Sequence, residues 1–219
     1  MAIADAGREL ERARLVEGTS GNLSARDRDG GTVAITPSSV EYSRIHAADV
    51  LLVDADGNLE ESRHQPSSEL SMHLAVYRGR PDVGAVVHTH SRWATTWAVL
   101  GREIPAVHYV IASIGYSIRV APYATFGTEE LARNVVATLG TDNAVLLASH
   151  GVVAVGADLR AAVENAVRVE FLAEVYWKAS RVGAPVVLGP EEIDRVRAQT
   201  VAKRARGSVP ERPEDARDA

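Results

Sequence analysis

The 219 residues are 46% apolar and 24% charged, ordinary values for one folded domain with a continuous core. A net charge of −5 supplies no basic face for nucleic acid, and the absence of cysteine rules out disulfides, thiolate metal sites and cysteine nucleophiles. Any metal must therefore sit on His, Asp, Glu or water, a ligand set more typical of catalytic than of structural centres.

Residues 3–17 carry Ile3, Leu10 and Val16 among Ala, Glu and Arg, a pattern that predicts an amphipathic helix. The same stretch lacks a basic start followed by an apolar run, and no 18 residues pass without a charge or His. The expectation is a cytoplasmic chain with no secretory signal and no membrane span. Short strands are predicted at Asn22–Arg26 and Gly31–Ile35, with a second hairpin at Val50–Val53 and Asn58–Glu60 around Asp54-Ala55-Asp56-Gly57. Pro66-Ser67-Ser68-Glu69 opens a helix to Arg78, with Ser67 or Ser68 as its N-cap.

Val83–His88 reads as a buried strand, and residues 91–100 as a helix stopped by Gly101. A short strand follows at Ser117–Val120, then a helix from Thr128 to Leu139 ended by Gly140. Apolar strands at Ala144–Ala148 and Val152–Val155 flank Ser149-His150-Gly151, and Asp158 caps the longest helix, to Arg181. From 201 onward apolar residues are few. The predicted organisation is a catalytic domain over 1–200 and a flexible charged tail over 201–219. Hairpins mixed with helices, without regular βαβ alternation, predict a three-layer α/β/α fold around a mixed, largely antiparallel sheet.

Three histidines carry the chemistry. His88 and His90 stand two apart at a strand end, so both imidazoles point to one face and can chelate one cation. His150 ends a second apolar strand beside Gly151, whose missing side chain permits close backbone approach. Three imidazoles leave positions open for substrate, as a catalytic centre requires. The alternative is that these are core histidines bonded to backbone. His73, four residues after Glu69, reads as a packed or supporting residue; His46 and His64 read as exposed loop residues, and His108 stays ambiguous.

Gly18-Thr19-Ser20-Gly21-Asn22, Thr36-Pro37-Ser38-Ser39 and Pro66-Ser67-Ser68-Glu69 each offer hydroxyls and backbone N–H groups in a turn. Together they suit a phosphate, the third more so because it precedes a helix. Glu69 itself is open to two readings: a metal ligand and proton carrier, or a charge complementing the helix N-terminus.

Taken in order, these segments with His88-Thr89-His90 and Ser149-His150-Gly151 resemble the class II aldolase/adducin family over roughly residues 5–185. The stretch from His108-Tyr109 to Phe126-Gly127-Thr128 resembles its branch acting on L-fuculose 1-phosphate. The resemblance implies His88, His90, His150 and Glu69 as ligands of Zn2+, with Mn2+ or Co2+ as alternatives, and Glu69 as the catalytic acid/base. It assigns Thr19, Gly21, Asn22, Thr36, Ser67 and Ser68 to the phosphate segments, and Ser38 to a position whose backbone N–H faces the phosphate. It further implies a cyclic homotetramer in which Tyr109 reaches a neighbour's site and Phe126 lines the same interface. The implied reaction is reversible cleavage of a ketose 1-phosphate, of the L-fuculose or 5-deoxyribulose type. A 4-epimerase, a methylthioribulose-1-phosphate dehydratase and a non-catalytic adducin-like module are the rivals. Ser38, Ile114-Gly115-Tyr116 and the lack of any aromatic after Trp177 depart from the fuculose pattern.

Overall fold

The computed structural model describes residues 2–27, 31–59 and 62–207. Its centre is a seven-stranded sheet in the order β3-β2-β1-β4-β9-β8-β7. In chain order these strands are β1 (Asn22–Arg26), β2 (Val33–Ile35), β3 (Leu51–Val53), β4 (Ala85–Thr89), β7 (Val120–Ala121), β8 (Ala144–Leu147) and β9 (Gly151–Gly156). Neighbouring strands run antiparallel except for β7 and β8, so the mixed, largely antiparallel sheet is observed. A two-stranded ribbon of β5 (Ile104–Pro105) and β6 (Ser117–Ile118) stands apart.

Helices cover both faces, which is why the central strands read as almost unbroken apolar runs. On one face Ala85, Val87, Val152 and Ala154 pack with α1 (Ile3–Arg12), α3 (Arg92–Leu100) and α5 (Leu159–Val182). On the other, Val86, Val145, Val153 and Val155 pack with α2 (Leu70–Gly79) and α4 (Glu129–Leu139). Strand alternation then carries Asn22 and Ser24 of β1 and His88 of β4 to the α2 side. Asn22 is paired with His88, and Ser24 with Val86, so all four share that face.

Several boundaries differ from the sequence expectation. α1 stops at Arg12, because the chain turns through Arg14 at φ 58° and buries Leu15 and Val16 instead of continuing the helix. α2 begins after Glu69, which is its N-cap. Ser67 and Ser68 precede the helix, and the Ser67 hydroxyl accepts from the Glu69 N–H at 3.2 Å. The second hairpin shrinks to one bridge, Val53 to Leu59; Glu60 lies outside the described residues. The single strand expected at 117–120 divides at Arg119, with one half joining the ribbon and the other the main sheet.

A further helix, α6 (Pro190–Gly207), crosses the boundary expected at residue 201. Its buried Ile193 anchors it in the core. The Tyr116 hydroxyl donates to Asp194 at 2.6 Å, Arg197 lies 4.3 Å over the Tyr116 ring, and it donates to the Ala112 carbonyl. Residues 208–219 of the expected tail lie outside the described residues. Among the described residues no helix is long and apolar enough to cross a membrane.

Candidate active site

β4 and β9 end side by side, and their register carries His88, His90 and His150 to one point. The three ligating nitrogens lie within 4.8 Å of one another. The ring centroids are 4.8–4.9 Å apart, with planes inclined by 67–73°, a propeller of imidazoles around a shared centre. Two glycines make this approach possible. A Cβ on Gly151 would sit 2.4 Å from the Thr89 carbonyl and 2.9 Å from the His90 ring. Gly21, at φ 74°, would press a Cβ to within 2.5 Å of the His88 carbonyl.

His88 is fully buried, and its Nδ1 lies 2.9 Å from the Val152 carbonyl. A carbonyl can only accept, so Nδ1 carries a proton and Nε2 is left facing the centre. Nε2 is 3.0 Å from His90 Nε2 and 3.1 Å from Glu69 Oε2. With His88 Nε2 unprotonated, its 3.1 Å contact with Glu69 Oε2 sets two acceptors together, which a positive charge between them would relieve. Burial, then the neighbouring His88 and His150, push His90 down to about 4; burial and then His88 do the same for His150.

Glu69 is buried beside the triad, with Oε1 3.5 Å from His150 Nε2. Oε2 accepts from Asn22 Nδ2 at 2.9 Å, whereas Oε1 has no hydrogen-bond partner among the described residues. Burial opposes ionisation of this carboxyl, but His88, the Asn22 hydrogen bond and His150 together outweigh it and hold the group below the usual carboxylate range. Three imidazoles plus an orphaned buried carboxylate oxygen are the donor set that a divalent cation fits.

A cleft of about 370 Å³ opens over this centre. Thr19, Gly21, Asn22, Ser38, Ser67, Ser68 and Phe126 line it, with Glu69, His90 and His150 among them. Ser20 and Ser39 also line it, from the same hydroxyl-rich turns. Thr36 does not: it is buried, and its hydroxyl accepts from the Leu23 N–H at 3.2 Å, tying β1 to β2. The Ser38 backbone N–H is already committed to the Gln65 carbonyl at 2.9 Å, as the Pro37–Pro66 bridge draws the two loops together. Its side chain, not its N–H, is what Ser38 offers to the cleft. Tyr109 opens a 3-10 turn, Tyr109–Ser113, and is 59% exposed beside α6, away from the cleft of its own chain. His46 is exposed as expected, whereas His64 is half-buried against Asp49 at 3.1 Å.

A largely antiparallel sheet between helices, with three imidazoles and a carboxylate meeting in a hydroxyl-lined cleft, is an arrangement that could hold a divalent cation beside a polar ligand. Residues 1–177 match the family described as Class II Aldolase and Adducin N-terminal domain. The chain belongs to the class II aldolase/adducin family. It is 42% identical over 190 residues to a 5-deoxy-D-ribulose 1-phosphate aldolase of Bacillus thuringiensis, covering 87% of this chain and 89% of the relative. It is 44% identical over 195 residues to a 5-methylthioribulose-1-phosphate/5-deoxyribulose-1-phosphate aldolase of Rhodospirillum rubrum, covering 89% and 87%. A solved L-fuculose 1-phosphate aldolase superposes with a TM-score of 0.88 at 40% identity, over 91% of this chain and 94% of that one.

Proposed function

We propose that the chain reversibly cleaves a ketose 1-phosphate of the L-fuculose or 5-deoxyribulose type to dihydroxyacetone phosphate and a short aldehyde. The observation carrying this reading is the buried Glu69, one oxygen bonded and the other bare, beside a three-imidazole centre at the floor of the cleft. Relatives named for both substrates support the substrate class. A divalent cation held by His88, His90 and His150, zinc before manganese or cobalt, would supply Lewis-acid polarisation of the substrate's oxygens.

The residues divide the remaining work. Ser67 accepts from the Glu69 N–H, which leaves its own O–H free to donate to a phosphate; Thr19, Ser38 and Ser68 offer further hydroxyls around the cleft. In the synthetic direction, Glu69 Oε1 takes a proton from C3 of dihydroxyacetone phosphate, and the C3 electron pair forms the new bond to the aldehyde carbon. The aldehyde oxygen then takes a proton, which by family resemblance comes from the partner subunit's Tyr109. Cleavage runs the same steps backwards: one proton leaves the C4 hydroxyl, the C3–C4 bond breaks, and one proton returns to C3. The assembly we infer is a cytoplasmic homotetramer, on that same resemblance.

The test is a panel of ketose 1-phosphates and 5-phosphates assayed for released dihydroxyacetone phosphate, before and after chelation. Turnover of 1-phosphates, abolished by chelator and restored by zinc, manganese or cobalt, is expected. Turnover confined to 5-phosphates, by epimerisation without aldehyde release, overturns the reading.

A further inference from the structure

Behind Glu69 runs a closed line of buried polar groups that the reaction above does not use. Asn22 Nδ2 donates to Glu69 Oε2 at 2.9 Å, and Asn22 Oδ1 is 2.6 Å from His73 Nε2. His73 Nδ1 is 2.7 Å from the Ser24 hydroxyl, which is 2.7 Å from the Tyr77 hydroxyl. All five side chains are buried, His73 and Ser24 completely. An unsatisfied member here would cost the full desolvation of its group, so every donor must meet an acceptor.

That requirement fixes each proton in the line. An ionised Glu69 can only accept, so Asn22 presents its NH2 to the carboxylate and its carbonyl oxygen to His73. His73 must then carry its proton on Nε2 and accept at Nδ1. Ser24 therefore donates to His73, and Tyr77 donates to Ser24. The opposite orientation of Asn22 would set two acceptor oxygens face to face at the 2.9 Å contact with Glu69.

We propose that His73 is a positioning residue: by holding the Asn22 amide in one orientation it saturates Glu69 Oε2 and leaves Oε1 as the oxygen that faces the substrate. The proposal rests on the aldolase reading for what Oε1 does, but the relay itself is a property of the protein alone. His73 lies on α2 and Asn22 on β1, so the device also locks the helix that follows Glu69 to the strand paired with His88.

Two variants separate positioning from packing. His73→Gln can still donate to Asn22 and accept from Ser24; His73→Phe fills the space and does neither. In the metal-loaded enzyme, His73→Phe should lower kcat for cleavage, and the exchange of the C3 proton of dihydroxyacetone phosphate with deuterated water, by about 10–100-fold with KM little changed. His73→Gln should recover most of both rates. Equal losses in the two variants at equal folded fraction, or an unchanged kcat in His73→Phe, would overturn the proposal. If the variants fold poorly, 15N NMR of the histidine rings in the wild-type protein decides. A proton on Nε2 of His73 near pH 7 supports the relay, and a proton on Nδ1 refutes it. A wild-type enzyme that acts on no ketose phosphate would sink the aldolase reading while leaving that tautomer measurement intact.

Discussion

Glu69 and His73 are four residues apart, yet they bond to opposite ends of one side chain, the Asn22 amide. Glu69 stands just outside α2 as its N-cap, so the two side chains do not stack as a helical pair; His73 instead reaches Asn22 and Ser24 on β1. Replacing Glu69 by Gln keeps an acceptor for Asn22 but removes the base. Cleavage and C3 proton exchange should fall by about 10²–10⁴-fold while the metal stays bound. Unchanged deuterium exchange in that variant would remove Glu69 from the chemistry. His73 makes a separate prediction. Burial pushes its pKa from 6.5 down to about 3, with Glu69 opposing and His88 reinforcing. Below 6.5 the unfolded chain binds a proton that the folded chain refuses, so this contribution is complete above pH 6.5 and fades as the pH falls toward 3. Urea unfolding should find the wild type losing about 2 kcal/mol more than His73→Gln between pH 7 and pH 5; identical losses would contradict a neutral buried imidazole. The clustering of His88, His90 and His150 was legible in the sequence, because two histidines at strand spacing and a third beside glycine state their own geometry. The partners of His73 were not, since only strand register reveals them. Nor could spacing tell that Thr36 is buried beside the Leu23 N–H and does not line the cleft.

Among the elements, the pairing of β4 with β9 positions the centre, and at Gly151 there is no room for a side chain against Thr89 and His90. Gly151→Ala should destabilise the fold by about 1–3 kcal/mol, because its Cβ meets backbone that cannot swing aside. The displaced strand end should also weaken metal binding, which titration of the apo-protein with zinc would measure; wild-type affinity and melting temperature together would refute this account of the glycine. The long central strands and α5 could be read from sequence because apolar runs and a capping Asp158 announce them; the Asp158 side chain does accept from the Ala161 N–H at 2.8 Å. Two others could not. At 117–120 four residues serve two sheets, and α6 buries little beyond Ile193 among the described side chains, so its charged last turns read as tail.

At the scale of the whole molecule, each chain holds the imidazoles, Glu69 and the hydroxyl turns in one cleft, with Tyr109 exposed elsewhere. If a ring of head-to-tail interfaces brings Tyr109 to a neighbour's cleft, a Glu69→Gln chain beside a Tyr109→Phe chain completes some intact sites that neither parent has. Mixing the two variants through mild dissociation and reassembly should then restore a clear fraction of activity. Mixed oligomers verified by mass spectrometry that stay inactive would confine Tyr109 to its own subunit or exclude it from catalysis. The bond from His88 Nδ1 to the Val152 carbonyl has another consequence, because it spans 64 positions of the chain. The imidazoles meet only after that long loop has closed and β9 has aligned on β4, so a cation held there, as proposed above, would be captured late in folding. Interactions absent from the transition state leave the folding rate alone and slow unfolding. A chain stripped of its metal should refold as quickly as the loaded one and come apart sooner.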